Sequence, residues 1–122
     1  RITEYINDMD VCLAAADLVI CRSGASTLAE LEAAGRASIL IPSPIVAGNH
    51  QYHNAMVLGK AGAAVVVEQK DASPKRIISE IEKLYNSPDT VAVMSQSAAK
   101  LHLSDTNERI LAVIDKLIAK KK

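Results

Sequence analysis

Residues 18–35, LVICRSGASTLAELEAAG, constrain the fold more than any other stretch of the chain. A short apolar run from Leu18 to Cys21 stops at Arg22, and a small polar turn follows at Ser23, Gly24, Ala25 and Ser26. Thr27 opens an amphipathic helix, which Gly35 ends as a C′ glycine. A parallel strand feeding a crossover helix through a tight loop has this grammar. Such a loop aims free main-chain N–H groups and the positive helix end at one spot, which makes an anion site. A plain turn is the alternative, since Thr27-Leu28-Ala29-Glu30 is a capping box in itself.

The rest of the chain repeats that grammar. Residues 1–6, RITEYI, alternate and carry β-branched and aromatic types, so they read as a strand. Asn7-Asp8 turns the chain, and Asp8 can cap a short helix through Ala16. Leu18–Cys21 is the second strand and Ala37–Ile41 the third, stopped by Pro42-Ser43-Pro44 because proline cannot extend the ladder. Asn49 is an N-cap for a helix to about Lys60, Gly62 ends it, and Ala64–Glu68 is the fourth strand. Ser73-Pro74 and Ser87-Pro88 each place a serine cap before a proline at the first helical position, starting helices to Tyr85 and about Leu103. A last helix from Asp105 or Thr106 carries an apolar stripe of Ile110, Leu111, Val113, Ile114, Leu117 and Ile118. Lys120, Lys121 and Lys122 close it, favourable beside the negative helix terminus.

Strands separated by helices call for right-handed parallel crossovers. The expected fold is therefore α/β: a Rossmann-like parallel sheet of about four strands with flanking helices, followed by C-terminal helices. Ligands in such sheets sit outside the carboxyl ends of the strands. Those ends are Tyr5-Ile6-Asn7, Cys21-Arg22-Ser23, Ile41-Pro42-Ser43 and Glu68-Gln69.

Composition agrees with one domain of this kind. The 122 residues are 49% hydrophobic with no Trp or Phe, so Ala, Val, Ile and Leu must build the core. Lys plus Arg equals Asp plus Glu at 14 each, which argues against a nucleic-acid partner. Cys12 and Cys21 lack CxxC spacing and read as buried free thiols. His50 and His53 lack a third ligand at proper spacing, so neither a metal nor a cofactor is expected. No apolar run approaches the ~20 residues that span a bilayer, and no signal-peptide pattern opens the chain, so a cytoplasmic location is expected. Arg1 stands where a start methionine would, and reads as the beginning of a piece of a longer chain.

The succession DMDVCLAAADLVICRSGASTLAELEAAG, ILIPSP and NHQYHNAMVLGKAGAAVVV closely resembles the C-terminal domain of the MurG family, with the NHQ variant of its Gram-positive type. The likeness runs from Arg1 to about Val67 and more loosely to the end. These are two-domain GT-B glycosyltransferases of peptidoglycan synthesis, and hence of cell shape and division. They move N-acetylglucosamine from UDP-GlcNAc to lipid-linked muramyl-pentapeptide (lipid I), giving lipid II, by inversion. The resemblance implies that residues 1–122 form part of the C-terminal UDP-sugar-binding domain. The N-terminal domain, with the catalytic base, the lipid I acceptor and the membrane surface, is then expected outside the chain. The isolated chain is accordingly expected to be inactive and to hold no catalytic residue, while its parent sits peripherally on the cytoplasmic face of the membrane.

The resemblance also assigns residues. Ser26 and Thr27 match the positions at the UDP diphosphate, with Ser23, Gly24 and Ala25 shaping the turn. Glu30 matches the carboxylate that bonds the ribose hydroxyls. Gln51 matches a glutamine on the GlcNAc hydroxyls and His50 its neighbour, with Asn54 three residues on along the same face. Ile6 matches the residue whose main chain pairs with uracil, and Tyr5 can wall the base. Arg22 matches a family arginine that braces the loop, neutralises phosphate or sits in a salt bridge. Where the family usually has Lys-Pro before the third strand, this chain has Arg36-Ala37.

Rival readings stay open on the residues alone. One is a separate donor-binding subunit of a two-chain GT-B transferase, which a start methionine and further N-terminal strands would favour. Another is a UDP-GlcNAc 2-epimerase, which would need acid and base residues not seen here. The third is a non-catalytic folding or assembly fragment. Its open sheet edge would favour a homodimer or swapped oligomer.

Overall fold

The computed structural model describes residues 2–120; Arg1, Lys121 and Lys122 lie outside the described residues, and with them the start of the expected first strand and most of the lysine tail. The elements are α1 (Met9–Ala15), β1 (Leu18–Cys21), α2 (Ala25–Ala34), β2 (Ala37–Leu40), α3 (His50–Lys60), β3 (Ala64–Val66), α4 (Pro74–Tyr85), α5 (Pro88–Leu101) and α6 (Thr106–Ala119). Single 3-10 turns stand at Ala47–Asn49 and Gln69–Asp71. The strands lie in the order β1-β2-β3, all parallel, with Leu18 opposite Ala37 and Ser38 opposite Ala64.

The α/β class stands, but the sheet of the described residues has three strands rather than four. The expected first strand is missing: residues 2–8 form no strand, and Ile2 is fully exposed. Alternation chooses a face, whereas a strand exists only through a neighbour's ladder, and this segment pairs with none.

Residue alternation along the strands divides the core in two. Val19, Cys21, Leu40, Ala64 and Val66 face one way, onto Leu13 of α1, Leu28 and Leu31 of α2, and Ala55 and Leu58 of α3. Leu18, Ala37, Ile39, Val65 and Val67 face the other, onto Ile77, Ile81 and Leu84 of α4 and Val91 and Met94 of α5. The central strand β2 is buried at every position, as a parallel strand covered on both faces must be.

Small residues set the helix spacing. Gly35 ends α2 in the left-handed region at φ 59°, and a Cβ there would stand 3.2 Å from Ala99 Cβ on α5. Ser95 of α5 accepts from the Ala37 main-chain N at 3.2 Å, and Arg36 donates from Nη2 to Ala14 O at 2.8 Å. Helix α6 forms where expected but buries none of its residues. The cysteine reading needs one correction: Cys12 is exposed, because it lies on the outer face of the short α1, while Cys21 is half-buried and burial pushes its thiol up.

Candidate functional site

Three strand ends meet at the carboxyl edge of the sheet, and the ladder continues past the strands themselves. Ile41 N donates to Cys21 O and Val67 N to Leu40 O, both at 2.9 Å. Loops leaving this edge therefore start from fixed points.

The loop after β1 begins with two residues of opposite fate. Arg22 is exposed and reaches across the edge, donating from Nη1 to Ile41 O at 3.2 Å and to Gln69 Oε1 beyond β3. Both acceptors are neutral, so the guanidinium is held in place with its charge uncompensated by them. Ser23 turns inward and is completely buried. Its Oγ donates to Gln51 O at 2.7 Å, and Asn54 Nδ2 donates to Ser23 O at 3.4 Å.

Helix α2 then starts earlier than its sequence suggests. Gly24, with φ −65° and ψ 148°, is the N-cap, and Ala25 the first helical residue. Thr27 is thus the third helical residue rather than the opener. No side chain caps the helix, so the expected capping box with Glu30 does not form. A box needs its hydroxyl at the N-cap, and glycine holds that place. The consequence is chemical. Leu28 N is bonded to Gly24 O at 3.1 Å; the N–H groups before it have no partner within the helix, and they lie beside the exposed Ser26 and half-buried Thr27. A Cβ on Gly24 would meet nothing within 4 Å, so there is open space beside that residue.

Glu30 is exposed on the next turn of α2 and shares a groove of about 370 Å³ with Met9, Asp10 and Arg36. Ile6 lies elsewhere: with Tyr5, Asn7, Asp8 and Cys12 it lines a second groove of about 280 Å³.

Helix α3 brings the third set of groups. Gln51 Oε1 accepts from Ser43 N at 2.9 Å, tying the first turn of α3 to the segment after β2. His50 is exposed, with its ring folded toward Gly48, where a Cβ would lie 3.3 Å from Cε1. Asn49 occupies the N-cap in the left-handed region at φ 53° without a side-chain cap bond. Pro42, Asn49, Tyr52, Gln69 and Lys70 border a further cleft of about 250 Å³ beside this turn.

Arg22, Ser23, Gly24, Ala25, Ser26, Thr27, Gln51 and Asn54 are therefore gathered around one loop and the helix start next to it. Glu30 stands one turn along, and Ile6 stands apart. Sequence reasoning put Gln69 and Ser43 at strand ends but missed their roles: Gln69 holds Arg22, and Ser43 holds Gln51. Ser43 had a signal: between Pro42 and Pro44 it is the sole residue with a main-chain N–H to donate.

The family model of the glycosyltransferase family 28 C-terminal domain matches residues 1–110. The UDP-N-acetylglucosamine--N-acetylmuramyl-(pentapeptide) pyrophosphoryl-undecaprenol N-acetylglucosamine transferase of Thermoanaerobacter sp. (strain X514) is 46% identical over 114 residues, 93% of this chain and 31% of that protein. The enzyme of the same description from Acetivibrio thermocellus is 42% identical over 121 residues, 99% of this chain and 33% of the relative. Among solved structures, Acinetobacter baumannii MurG superposes with a TM-score of 0.86 at 28% identity, over 95% of this chain and 33% of that one. The glycosyltransferase VinC in complex with dTDP superposes with a TM-score of 0.73 at 18% identity, over 95% of this chain and 29% of that one, a likeness of fold alone. The chain spans about a third of the length of the curated relatives it matches.

Proposed function

The chain belongs to the glycosyltransferase family 28 C-terminal domain family, and from that premise we propose that it is the UDP-GlcNAc-binding part of a transferase that carries N-acetylglucosamine to lipid I. The observation that carries this reading is the open start of α2. Its N-cap is a glycine with no side chain to bond the first helical N–H groups, and a Cβ built on that glycine would meet nothing within 4 Å. An anion is the natural partner of such a helix end, and the hydroxyls of Ser26 and Thr27 add donors for diphosphate oxygens. Arg22, strapped to neutral oxygens, adds positive charge to the same edge.

The remaining assignments are those the family resemblance implies. Glu30, one turn on, accepts the ribose hydroxyls, and Gln51 with His50 meets the sugar, supported by Asn54. Ile6 offers its main chain to uracil from a groove that borders the same helix α1 as the Glu30 groove. The reaction is an inverting displacement. The lipid I hydroxyl attacks the anomeric carbon in line with departing UDP, and the charge building on the diphosphate is met by the α2 end. The general base comes from the N-terminal GT-B domain, so residues 1–122 alone bind donor without turnover. Among the described residues no helix is long and apolar enough to cross a membrane. The parent acts peripherally at the cytoplasmic membrane face.

Calorimetric titration of this chain with UDP, UDP-GlcNAc and UDP-glucose tests the reading, repeated on Glu30→Ala. Loss of charge-assisted ribose bonds is worth about 1.5–3 kcal/mol, so UDP should bind roughly 10–100-fold more weakly to the variant. No UDP binding by the wild-type chain would leave the scaffold reading in its place.

A second reading concerns assembly. Among the described residues β1 pairs with β2 alone, so its outer edge carries free ladder groups there, and Ile20 of β1 is 42% exposed. We propose that copies pair through this edge as a homodimer or swapped oligomer. A single monomeric species in sedimentation at high concentration would refute it.

A further inference from the structure

Ser23 is an oddity in the loop it belongs to. The residues after it open outward, yet its own side chain is 0% exposed. A hydroxyl removed from water is costly unless bonded, and this one donates to Gln51 O at 2.7 Å. Its main-chain oxygen is engaged too, by Asn54 Nδ2 at 3.4 Å. Both bonds run to the first turns of α3, so Ser23 ties the loop that opens α2 to the helix that carries the sugar-side amide.

Gln51 is held a second time. Its Oε1 accepts from Ser43 N at 2.9 Å. Main chain and side-chain oxygen are thus both fixed, the first by the loop after β1 and the second by the segment after β2. A primary amide offers one acceptor oxygen and two N–H donors. With one lone pair of the oxygen taken by Ser43 N, the two N–H groups of Nε2 are the larger part of what Gln51 has free to offer.

We infer that Ser23 is a positioning residue for the donor sugar, acting through Gln51, and that Gln51 meets the sugar as a hydrogen-bond donor to a hydroxyl oxygen. This rests on the donor-site reading above and deepens it. Groups assigned to diphosphate and ribose stand on α2 and its loop, whereas the sugar contact stands on α3. Removing the Ser23 hydroxyl uncouples the two and falls selectively on the sugar half. A single neutral hydrogen bond sets the scale, about two- to tenfold in affinity.

The test is titration of the full chain and its Ser23→Ala and Gln51→Glu variants with UDP and with UDP-GlcNAc, each variant's thermal melting being recorded. Gln51→Glu keeps an oxygen for Ser43 N–H and removes the free donor, so it probes the sugar contact even where Ser23→Ala fails to fold. The expected result is that the ratio of UDP-GlcNAc affinity to UDP affinity falls about two- to tenfold in both variants. A merely structural Ser23 would lower the melting temperature or weaken both ligands by one factor, leaving the ratio unchanged. An unchanged ratio in Gln51→Glu likewise overturns the inference. Wild-type chain that binds UDP while the ratios hold sinks the inference alone. Wild-type chain that binds no UDP sinks the donor reading and the inference with it.

Discussion

Helices α5 and α6 have the same length, 14 residues each, and both place aliphatic side chains at helical spacing. α5 buries Met94 and Ala98; α6 buries nothing, and the six residues of its stripe are 44–61% exposed. The contrast separates two things that a hydrophobic pattern is often taken to say at once. Periodicity selects the face that avoids water, but what covers that face is decided by surfaces elsewhere in the chain. α5 has β2 beneath it and closes on α2 through small residues, with Ala99 beside Gly35. Among the described residues, nothing of comparable apolar character is laid against α6.

The largest effect should come from trimming each helix once. Met94→Ala removes a side chain only 7% exposed from the core beneath β2 and should cost about 2–4 kcal/mol. Leu117→Ala takes a side chain that is 61% exposed and should change stability by less than about 0.5 kcal/mol. Urea unfolding at low protein concentration measures both. A Leu117→Ala loss approaching that of Met94→Ala would show the α6 stripe to be covered in solution and would erase the contrast.

Legibility in the sequence follows the same division between local rule and distant partner. The three observed strands were readable from short apolar runs bounded by turns, and Gly35 and Gly62 marked helix ends because positive φ is a local requirement. The two Ser-Pro starts show the limit. Ser73 sits at φ −70°, ψ 154° and its hydroxyl accepts from Arg76 N at 3.2 Å, whereas Ser87 sits at φ −134°, ψ 66° with no such bond. The identical dipeptide makes both helices begin with proline, but the capping bond depends on the angle at which α4 hands over to α5. The start of α2 was misplaced for a related reason: Thr27 looked like a cap, while the glycine three residues earlier has the extended geometry that a cap needs.

In the candidate site, polar residues at strand ends were readable and the bonds among them were not. Arg22 finds Ile41 and Gln69 across 19 and 47 residues, and Ser23 finds Gln51 across 28. These pairings are products of strand register, which places three loop starts side by side. No local pattern announces them. The same holds for the missing first strand, where RITEYI has the right alternation and lacks a neighbour.

The smallest effect probes the junction where buried α5 gives way to exposed α6. His102 is the C-cap residue of α5, and its charge acts on Glu32 in the last turn of α2. Burial raises the Glu32 carboxyl above its ordinary value, and His102 pulls it partly back. A carboxyl raised in the folded state holds its proton more tightly there than in the unfolded chain. Its ionisation therefore disfavours the fold above the folded value, and the penalty disappears as pH falls below the unfolded one. Glu32→Gln should accordingly be slightly more stable than wild type at pH 7 and no different at low pH, where the carboxyl is protonated in both states. His102→Ala removes the pull that partly lowers the Glu32 carboxyl, so the gain from Glu32→Gln should be larger in that background. Urea midpoints across that range measure both. If the gain from Glu32→Gln is the same with and without His102, the end of α5 is frayed away from α2 in solution, and the boundary between the covered and uncovered helices lies earlier in the chain than His102.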